Sequence, residues 1–179
     1  MQSIFSLLWK RKDISEDFRT EILCWVLRSL YCHSILADFL KKIGLQVKLD
    51  NPDIITQATA SPGRFDLVIR DSNNLIIFEN KWDSSTDIAQ LIKYDNYLNT
   101  CSKKFTALIH VTKDHKAITT KFKSKFIKIT WSRLYELLFE YNDNEVVQEF
   151  LHFLEEEGVA MQKVTMSWFS VKWSFPVVK

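Results

Sequence analysis

The sequence predicts a single α/β domain. Segments with helical and strand-like spacing of apolar residues alternate along its 179 residues, a length typical of one domain with a substantial core. Hydrophobic residues make up 46% of the chain and charged residues 26%, which excludes a largely disordered protein. We expect the domain to span 1–179, with its core in 13–158 and a tail, 159–179, that is compatible with a longer protein.

The composition also bears on where the protein works. No apolar run approaches the roughly 18 residues that a membrane helix needs. In the N-terminal stretch Ile4–Trp9 the basic charges follow the apolar residues, whereas in a signal peptide they precede them. The three cysteines show neither a metal-binding spacing nor a disulfide framework. We therefore expect a cytoplasmic protein without a membrane partner.

Helices are predicted where apolar residues recur every three or four positions, and strands where β-branched and aromatic residues cluster between turn signals. Asp13 and Glu16 have the spacing of a capping box, so the first helix begins near Asp13, with Trp25 in its apolar stripe. The predicted helices span 13–30, 34–43, 86–99, 132–141 and 145–156. Predicted strands span 64–70, 75–82, 105–111 and 126–130, and the stretch 46–61 and the tail from Val164 are strand-like.

The two strands that flank 71–74 form a predicted hairpin, because asparagine tolerates the positive φ of a tight turn. If the last two residues of that segment make the turn, Asp66 faces Lys81 and Val68 faces Glu79. Side chains alternate along a strand, so Asp66, Glu79 and Lys81 project from one face. The opposite face is apolar and is expected to pack on the core; it consists of Phe65, Leu67, Ile69, Ile76 and Phe78.

Two carboxylates and a lysine on a half-buried hairpin suggest a metal site. Neighbouring carboxylates repel, and one of them takes up a proton unless a cation lies between them. Oxygen ligands of this kind suit Mg²⁺ or Mn²⁺. A nearby lysine can orient or deprotonate a water, or stabilise charge on a phosphate. The alternative is a solvated hairpin with an ordinary Glu–Lys pair.

Residues on two helices are candidates for the same site. Glu21 borders the apolar stripe of the first helix and is either a boundary residue that faces water or a third acid of the site. Gln90 and Tyr94 share a helix face because they are four residues apart. They either hydrogen-bond a phosphate or Lys81, or belong to a polar helix surface. Trp131 and the histidines are interpreted as packing residues.

The region from Lys103 to Lys128 is strongly basic, with eight lysines against one acid, Asp114. A basic block with interspersed phenylalanines suits a phosphate backbone, although it is equally compatible with a solvated surface. The candidate nucleic-acid-binding residues in this block are Lys103, Lys104, Lys121, Lys123 and Lys125.

The ordered set of motifs resembles the PD-(D/E)XK nuclease superfamily, in particular its RecB-like members. The matching elements are Glu21 on the first helix, Gly63-Arg64-Phe65-Asp66, Glu79-Asn80-Lys81 and Gln90-x-x-x-Tyr94. The resemblance implies a restriction-endonuclease-like core, that is, a mixed β-sheet flanked by α-helices, and a site that uses Mg²⁺ or Mn²⁺. One departure is that no proline directly precedes Asp66; Pro62 lies four residues earlier.

The resemblance also implies roles for individual residues. Asp66, Glu79 and the main-chain carbonyl of Asn80 would be metal ligands, and Lys81 would position or activate the attacking water. Glu21 would bind a second metal or a metal-bound water. The residues that would support the site or contact nucleic acid are Gln90, Tyr94 and Arg64.

The expected function is a metal-dependent nuclease that hydrolyses phosphodiester bonds; we expect DNA as the substrate, and RNA stays open as the alternative. Endonuclease and exonuclease activities stay open, as does homodimerisation, which cutting both strands would favour. The rival interpretation is a catalytically inactive module on the same fold that binds nucleic acid or protein.

Overall fold

The fold is described by a computed structural model for residues 4–5, 16–82 and 85–159. The helices are α1 (Glu16–Cys32), α2 (Leu36–Lys42), α3 (Ile88–Thr100), α4 (Trp131–Leu138) and α5 (Glu145–Glu156), with a short 3₁₀ turn at Phe139–Tyr141. The strands are β1 (Asp53–Ala60), β2 (Gly63–Arg70), β3 (Asn74–Lys81), β4 (Phe105–Thr112) and β5 (Lys125–Thr130).

These strands form one mixed sheet in the order β1-β2-β3-β4-β5. The first three are an antiparallel meander, whereas β3, β4 and β5 run parallel. The parallel pair β3–β4 requires a crossover, and α3 provides it. The predicted α/β class with a mixed, helix-flanked sheet is therefore confirmed.

The two faces of the sheet carry separate hydrophobic cores. On one face α1, α2, α4 and α5 cover the larger core, which includes Phe78. On the other face α3 covers the smaller core, which includes Ile77. Consecutive residues of β3 thus enter opposite cores, as strand geometry requires. Each fully buried large side chain stabilises the fold by about 1.5–3 kcal/mol.

Several element predictions differ from the structure at their ends. The described part of α1 begins at Glu16, and Asp13 and the tail from Val164 lie outside the described residues. Trp25, predicted in the apolar stripe of α1, is 61% exposed. The buried stripe instead runs through Ile22, Val26 and Leu30 and their neighbours, so Trp25 falls on its outer side. Within the strand-like stretch 46–61, only the residues of β1 form a strand.

The β2–β3 turn differs from the predicted one by one position. Leu67 pairs with Phe78, which shifts β3 by two residues relative to the predicted register. The Asp71 carboxylate causes this, because it accepts hydrogen bonds from the main-chain N–H groups of Asn73 (2.7 Å) and Asn74 (2.8 Å). A shift by an even number leaves every side chain on its predicted face, so the inference about Asp66, Glu79 and Lys81 is unaffected.

A kink crosses β1 and β2. Thr56 pairs with Leu67 and Ala58 pairs with Phe65, so Gln57 lies opposite Asp66, and Gln57 has a φ of 53°. Side-chain alternation inverts at this point, because Leu67 enters the larger core and Phe65 the smaller one. The prediction that Phe65 shares a face with Leu67 is therefore wrong, and the kink is the reason.

The membrane expectation can be compared with the helices. Within the described ranges, no single helix is long and apolar enough to cross a membrane. Only α1 and α2 taken together reach that length and apolar character, and they are bent by 118° relative to each other.

Asp95 of α3 anchors the segment that enters β5. Its carboxylate accepts hydrogen bonds from the main-chain N–H groups of Lys123 (2.9 Å) and Ser124 (2.8 Å) and from the Ser124 hydroxyl. Burial opposes ionisation, but these hydrogen bonds together hold the pKa of Asp95 below its ordinary value of 3.8.

We expect Asp95→Ala to lower the free energy of unfolding by about 1.5 kcal/mol at pH 7, because hydrogen bonds to a charged group are lost. Since the folded-state pKa is depressed, this stabilisation is present above the ordinary value of 3.8 and disappears as the pH falls through the folded-state pKa. Urea denaturation of the wild type and of Asp95→Ala at pH 7 and pH 3 measures the loss of stability at each pH. Asp143→Ala, at an exposed position, is the control, and an equal loss at both pH values would contradict the assignment.

Candidate active site

The carboxyl end of β3 holds a buried ion pair. The side chain of Glu79 is 1% exposed, and its Oε1 lies 2.7 Å from Nζ of Lys81. Lys81 is two residues further along the strand and its side chain is 16% exposed, so the pair opens towards solvent on the lysine side. A buried carboxylate is stable in its charged form only beside a cation and hydrogen-bond donors.

Asp66 lies at the kink of β2, beside the same strand end. Its Oδ2 accepts a hydrogen bond from the main-chain N–H of Asn80 at 2.8 Å. The last regular pair before the kink is Leu67–Phe78, so one further step along both strands brings Asp66 next to Glu79. The carboxylates predicted to act together therefore come from neighbouring strands and meet around Asn80.

Glu21 reaches the neighbouring strand from α1. Its carboxylate accepts a hydrogen bond from the Thr56 hydroxyl of β1. The preceding residue, Thr20, accepts one from Nδ2 of Asn80 at 3.0 Å, which ties α1 to β3. Across 4–5, 16–82 and 85–159, no three side chains of His, Cys, Asp or Glu cluster closely enough to hold a metal ion. Glu21 is thus held at β1 by Thr56 and does not form a three-carboxylate cluster with Asp66 and Glu79.

Gln90 and Tyr94 of α3 brace β2 next to Asp66. Nε2 of Gln90 donates to the Tyr94 hydroxyl at 2.8 Å, which donates to the main-chain carbonyl of Arg64 at 2.7 Å. Burial raises the pKa of Tyr94, as do the charges of Glu79 and Asp66, so the hydroxyl stays protonated and able to donate. The predicted Gln–Tyr pair therefore acts on the backbone of β2.

The Arg64 side chain points away from this contact. Its guanidinium is exposed and lies 3.4 Å from the carboxylate of Asp17 on α1. It borders the site end of β2, where Gly63 lies near Nζ of Lys93 of α3.

Two residues that were interpreted as packing side chains contact this site directly. Trp131, the first residue of α4, donates its indole N–H to the main-chain carbonyl of Lys81 at 3.0 Å. His110 of β4 is fully buried in register with Glu79, and its Nδ1 lies 3.2 Å from the Glu79 carbonyl. Since a carbonyl only accepts, Nδ1 carries the proton, and Nε2 accepts from the Thr86 hydroxyl at 2.9 Å. Burial lowers the pKa of His110, which favours this neutral form.

Neither contact with the main chain of β3 could be predicted from the sequence. A histidine within an apolar strand and a tryptophan at a strand–helix junction are both ordinary core residues. Only the register of β4 against β3 and the placement of α4 bring them to the main chain of Glu79 and Lys81.

The structure divides the basic block into two groups. Lys103 donates to the main-chain carbonyls of Asp71 and Ser72, at the turn end of β3. That end lies about 20 Å from Lys81, because a strand rises about 3.3 Å per residue. Lys104 is exposed beside Lys103 in this far group. The remaining candidates, Lys121, Lys123 and Lys125, are exposed before and at the start of β5.

The second group lies at the site end. Lys113 directly follows Thr112, the register partner of Lys81, and its Nζ lies 4.0 Å from the centre of the Trp82 ring. Lys128 of β5 is in register with His110, so it lies two strands, or about 10 Å, from Glu79. Its ammonium group donates to the main-chain carbonyl of Lys116.

The donor set at the end of β3 fits Mg²⁺ or Mn²⁺. Asp66 and Glu79 supply the one or two carboxylates that Mg²⁺ takes from a protein, the remaining positions being filled by water and substrate phosphate. Carboxylate oxygens are hard donors of the kind that the cation prefers.

We expect Lys81→Met to lower the free energy of unfolding in EDTA by about 3 kcal/mol, because it removes the cation beside a buried carboxylate. The double variant Lys81→Met/Glu79→Gln should recover part of this loss, since the buried charge is then gone as well. Urea denaturation at pH 8 gives both values.

The control is Lys42→Met. Lys42 is also 2.7 Å from a carboxylate, that of Glu140, but the Glu140 side chain is 54% exposed. We expect little change there, because water screens exposed pairs. Equal losses for Lys42→Met and Lys81→Met would contradict a special role for burial.

Comparison with known protein families gives one match. A family model of the PD-(D/E)XK nuclease superfamily matches residues 26–154, which include the kinked hairpin and α3 but not Glu21. No curated protein matches the chain. The family match covers most of the chain, and the five-stranded mixed sheet of the described residues, with its flanking helices, is the restriction-endonuclease-like fold. The chain belongs to the PD-(D/E)XK nuclease superfamily.

Proposed function

We propose that this chain is a divalent-metal-dependent nuclease that hydrolyses phosphodiester bonds in DNA. The observation that carries the proposal is the meeting of Asp66, Glu79 and Lys81 at one strand end, with Glu79 buried and Lys81 open to solvent. The family supports a nuclease-type domain with nucleic acid as its substrate.

Each residue has a defined task in this proposal. Asp66 and Glu79, with the main-chain carbonyl of Asn80, would hold Mg²⁺ or Mn²⁺. Such a cation makes a bound water more acidic and offsets the charge of the phosphate. Lys81, whose Nζ lies 2.7 Å from the Glu79 carboxylate, would donate a hydrogen bond to the attacking water or to a phosphate oxygen that gains charge.

Other groups keep these atoms in place. Trp131 fixes the main chain at Lys81 and His110 fixes it at Glu79. Gln90 and Tyr94 hold the backbone of Arg64, two residues before Asp66. For Glu21, which Thr56 holds at β1, we propose that it would bind a second metal or a metal-bound water. Homodimerisation and a cytoplasmic location stay predictions of the sequence.

We expect Mn²⁺- or Mg²⁺-dependent cleavage by the wild-type protein and none by Asp66→Ala, Glu79→Ala or Lys81→Ala, because each change removes a metal ligand or the only group assigned to the attacking water. Supercoiled plasmid, linear duplex, single-stranded DNA and RNA are the substrates, with EDTA as the blank. Cleavage of the circle assigns an endonuclease, and cleavage of linear ends alone assigns an exonuclease.

Asp143→Ala, at an exposed position in the turn before α5, should cleave like the wild type. Full activity of Glu79→Ala in a clean preparation would show that the site is misassigned. Tight nucleic-acid binding without cleavage of any substrate would favour the inactive binding module.

The lysines at the site end should govern the salt dependence of DNA binding. Each phosphate contact contributes about 0.9 to the slope of log K against log salt, so Lys113→Ala and Lys116→Ala should each lower the slope by about 1. Fluorescence anisotropy of a labelled duplex in EDTA, over a range of NaCl concentrations, measures it. Lys41→Ala, at an exposed lysine of α2, should leave the slope unchanged. A salt-insensitive affinity would count against phosphate contacts.

A further inference from the structure

Gln57 has an unusual backbone for its place in a strand. Its φ is 53°, in the left-handed region that residues other than glycine, asparagine and aspartate rarely adopt. The neighbouring pairs Thr56–Leu67 and Ala58–Phe65 are in regular register on both sides. The strain is therefore confined to this one residue, in the middle of β1.

The side chain of Gln57 is also unusual. Both Oε1 and Nε2 of its amide are buried and have no hydrogen-bond partner among the described residues, although the residue as a whole is partly exposed. An amide offers one acceptor oxygen and two N–H donors, and burying them unsatisfied is unfavourable. A glycine would remove the strain and an apolar side chain would remove the unsatisfied atoms, so the fold itself requires neither feature.

The position of Gln57 relates both features to the carboxylates. The flanking pairs place it opposite Asp66, at the one position where the regular pairing of β1 and β2 is interrupted. The preceding residue, Thr56, holds the carboxylate of Glu21. Gln57 thus lies opposite the acid of β2 and directly after the residue that holds the acid of α1.

We propose that Gln57 is a further metal-binding residue, whose amide oxygen is a neutral donor to the divalent cation held by Asp66 and Glu79. Amide oxygens are suitable ligands for hard cations. A neutral oxygen adds a ligand without the repulsion of a third carboxylate, and the described residues bring no third carboxylate into the cluster. The inference rests on the proposed function, because it needs the cation at Asp66 and Glu79.

The test compares stability without metal and affinity for Mn²⁺. Gln57→Gly removes the amide and accepts the positive φ, so in EDTA its thermal midpoint should equal or exceed that of the wild type. Its apparent Kd for Mn²⁺, from the rise of the midpoint with MnCl₂ concentration, should be weaker by about 10-fold, as is typical when a group that supports a metal site is lost.

Two further variants separate the amide from the backbone. Gln57→Met keeps the length of the side chain but lacks the amide, and should weaken Mn²⁺ binding as much as Gln57→Gly. Ser34→Gly is the matched control, because Ser34 has a φ of 61° in the exposed turn between α1 and α2. It should leave the Mn²⁺ affinity unchanged.

The outcomes distinguish this inference from the proposed function. If the wild type binds Mn²⁺ and Gln57→Gly or Gln57→Met binds it equally well, the inference is overturned and the proposed metal site stands. If the wild type shows no Mn²⁺-dependent stabilisation, the metal site fails and the inference fails with it.

Discussion

The burial of Glu79 beside Lys81 is the constraint on which the rest of the site depends. A carboxylate with 1% exposure at the end of a central strand keeps its charge only if cations and donors surround it. Lys81 on the same strand provides one such cation, with its Nζ 2.7 Å from Oε1 of Glu79. An ammonium group and a divalent cation satisfy the same electrostatic demand, so in the nuclease proposed above the burial that requires Lys81 would also favour a bound cation.

At this point the surrounding elements contact the main chain of β3 more than they contact its side chains. Trp131 binds the carbonyl of Lys81, His110 binds that of Glu79, and Asp66 takes the N–H of Asn80. These contacts come from α4, β4 and β2 and converge on three consecutive residues of β3. The candidate site therefore rests on a backbone segment that is fixed from three directions, and this backbone positions the long side chains of Glu79 and Lys81.

Features that follow from a regular periodicity could be predicted from the sequence, whereas local departures from regular structure could not. The alternation in β2 and β3 placed Asp66, Glu79 and Lys81 on one face, and this survived an error in the turn because the shift was even. The kink at Gln57 left no trace in the sequence, since glutamine is not a residue associated with positive φ. The contacts of His110 and Trp131 depend on tertiary placement, which a pattern of apolar residues does not encode. The basic block was continuous in sequence, but β4 separates Lys103 from Lys113 and places them at opposite ends of the sheet.

The kink in β1 also affects how the sheet meets other molecules. In the described part of the chain β1 has one neighbouring strand, β2, so the other side of β1 is an open sheet edge. Asp53 is the only charged residue of β1. Such edges invite strands of other chains to pair with them and to aggregate. A left-handed residue in the middle interrupts the row of main-chain groups, and Arg28 occupies the carbonyl of Ile54 at 2.8 Å. The same irregularity that lies opposite Asp66 thus works against the pairing of another strand with this edge.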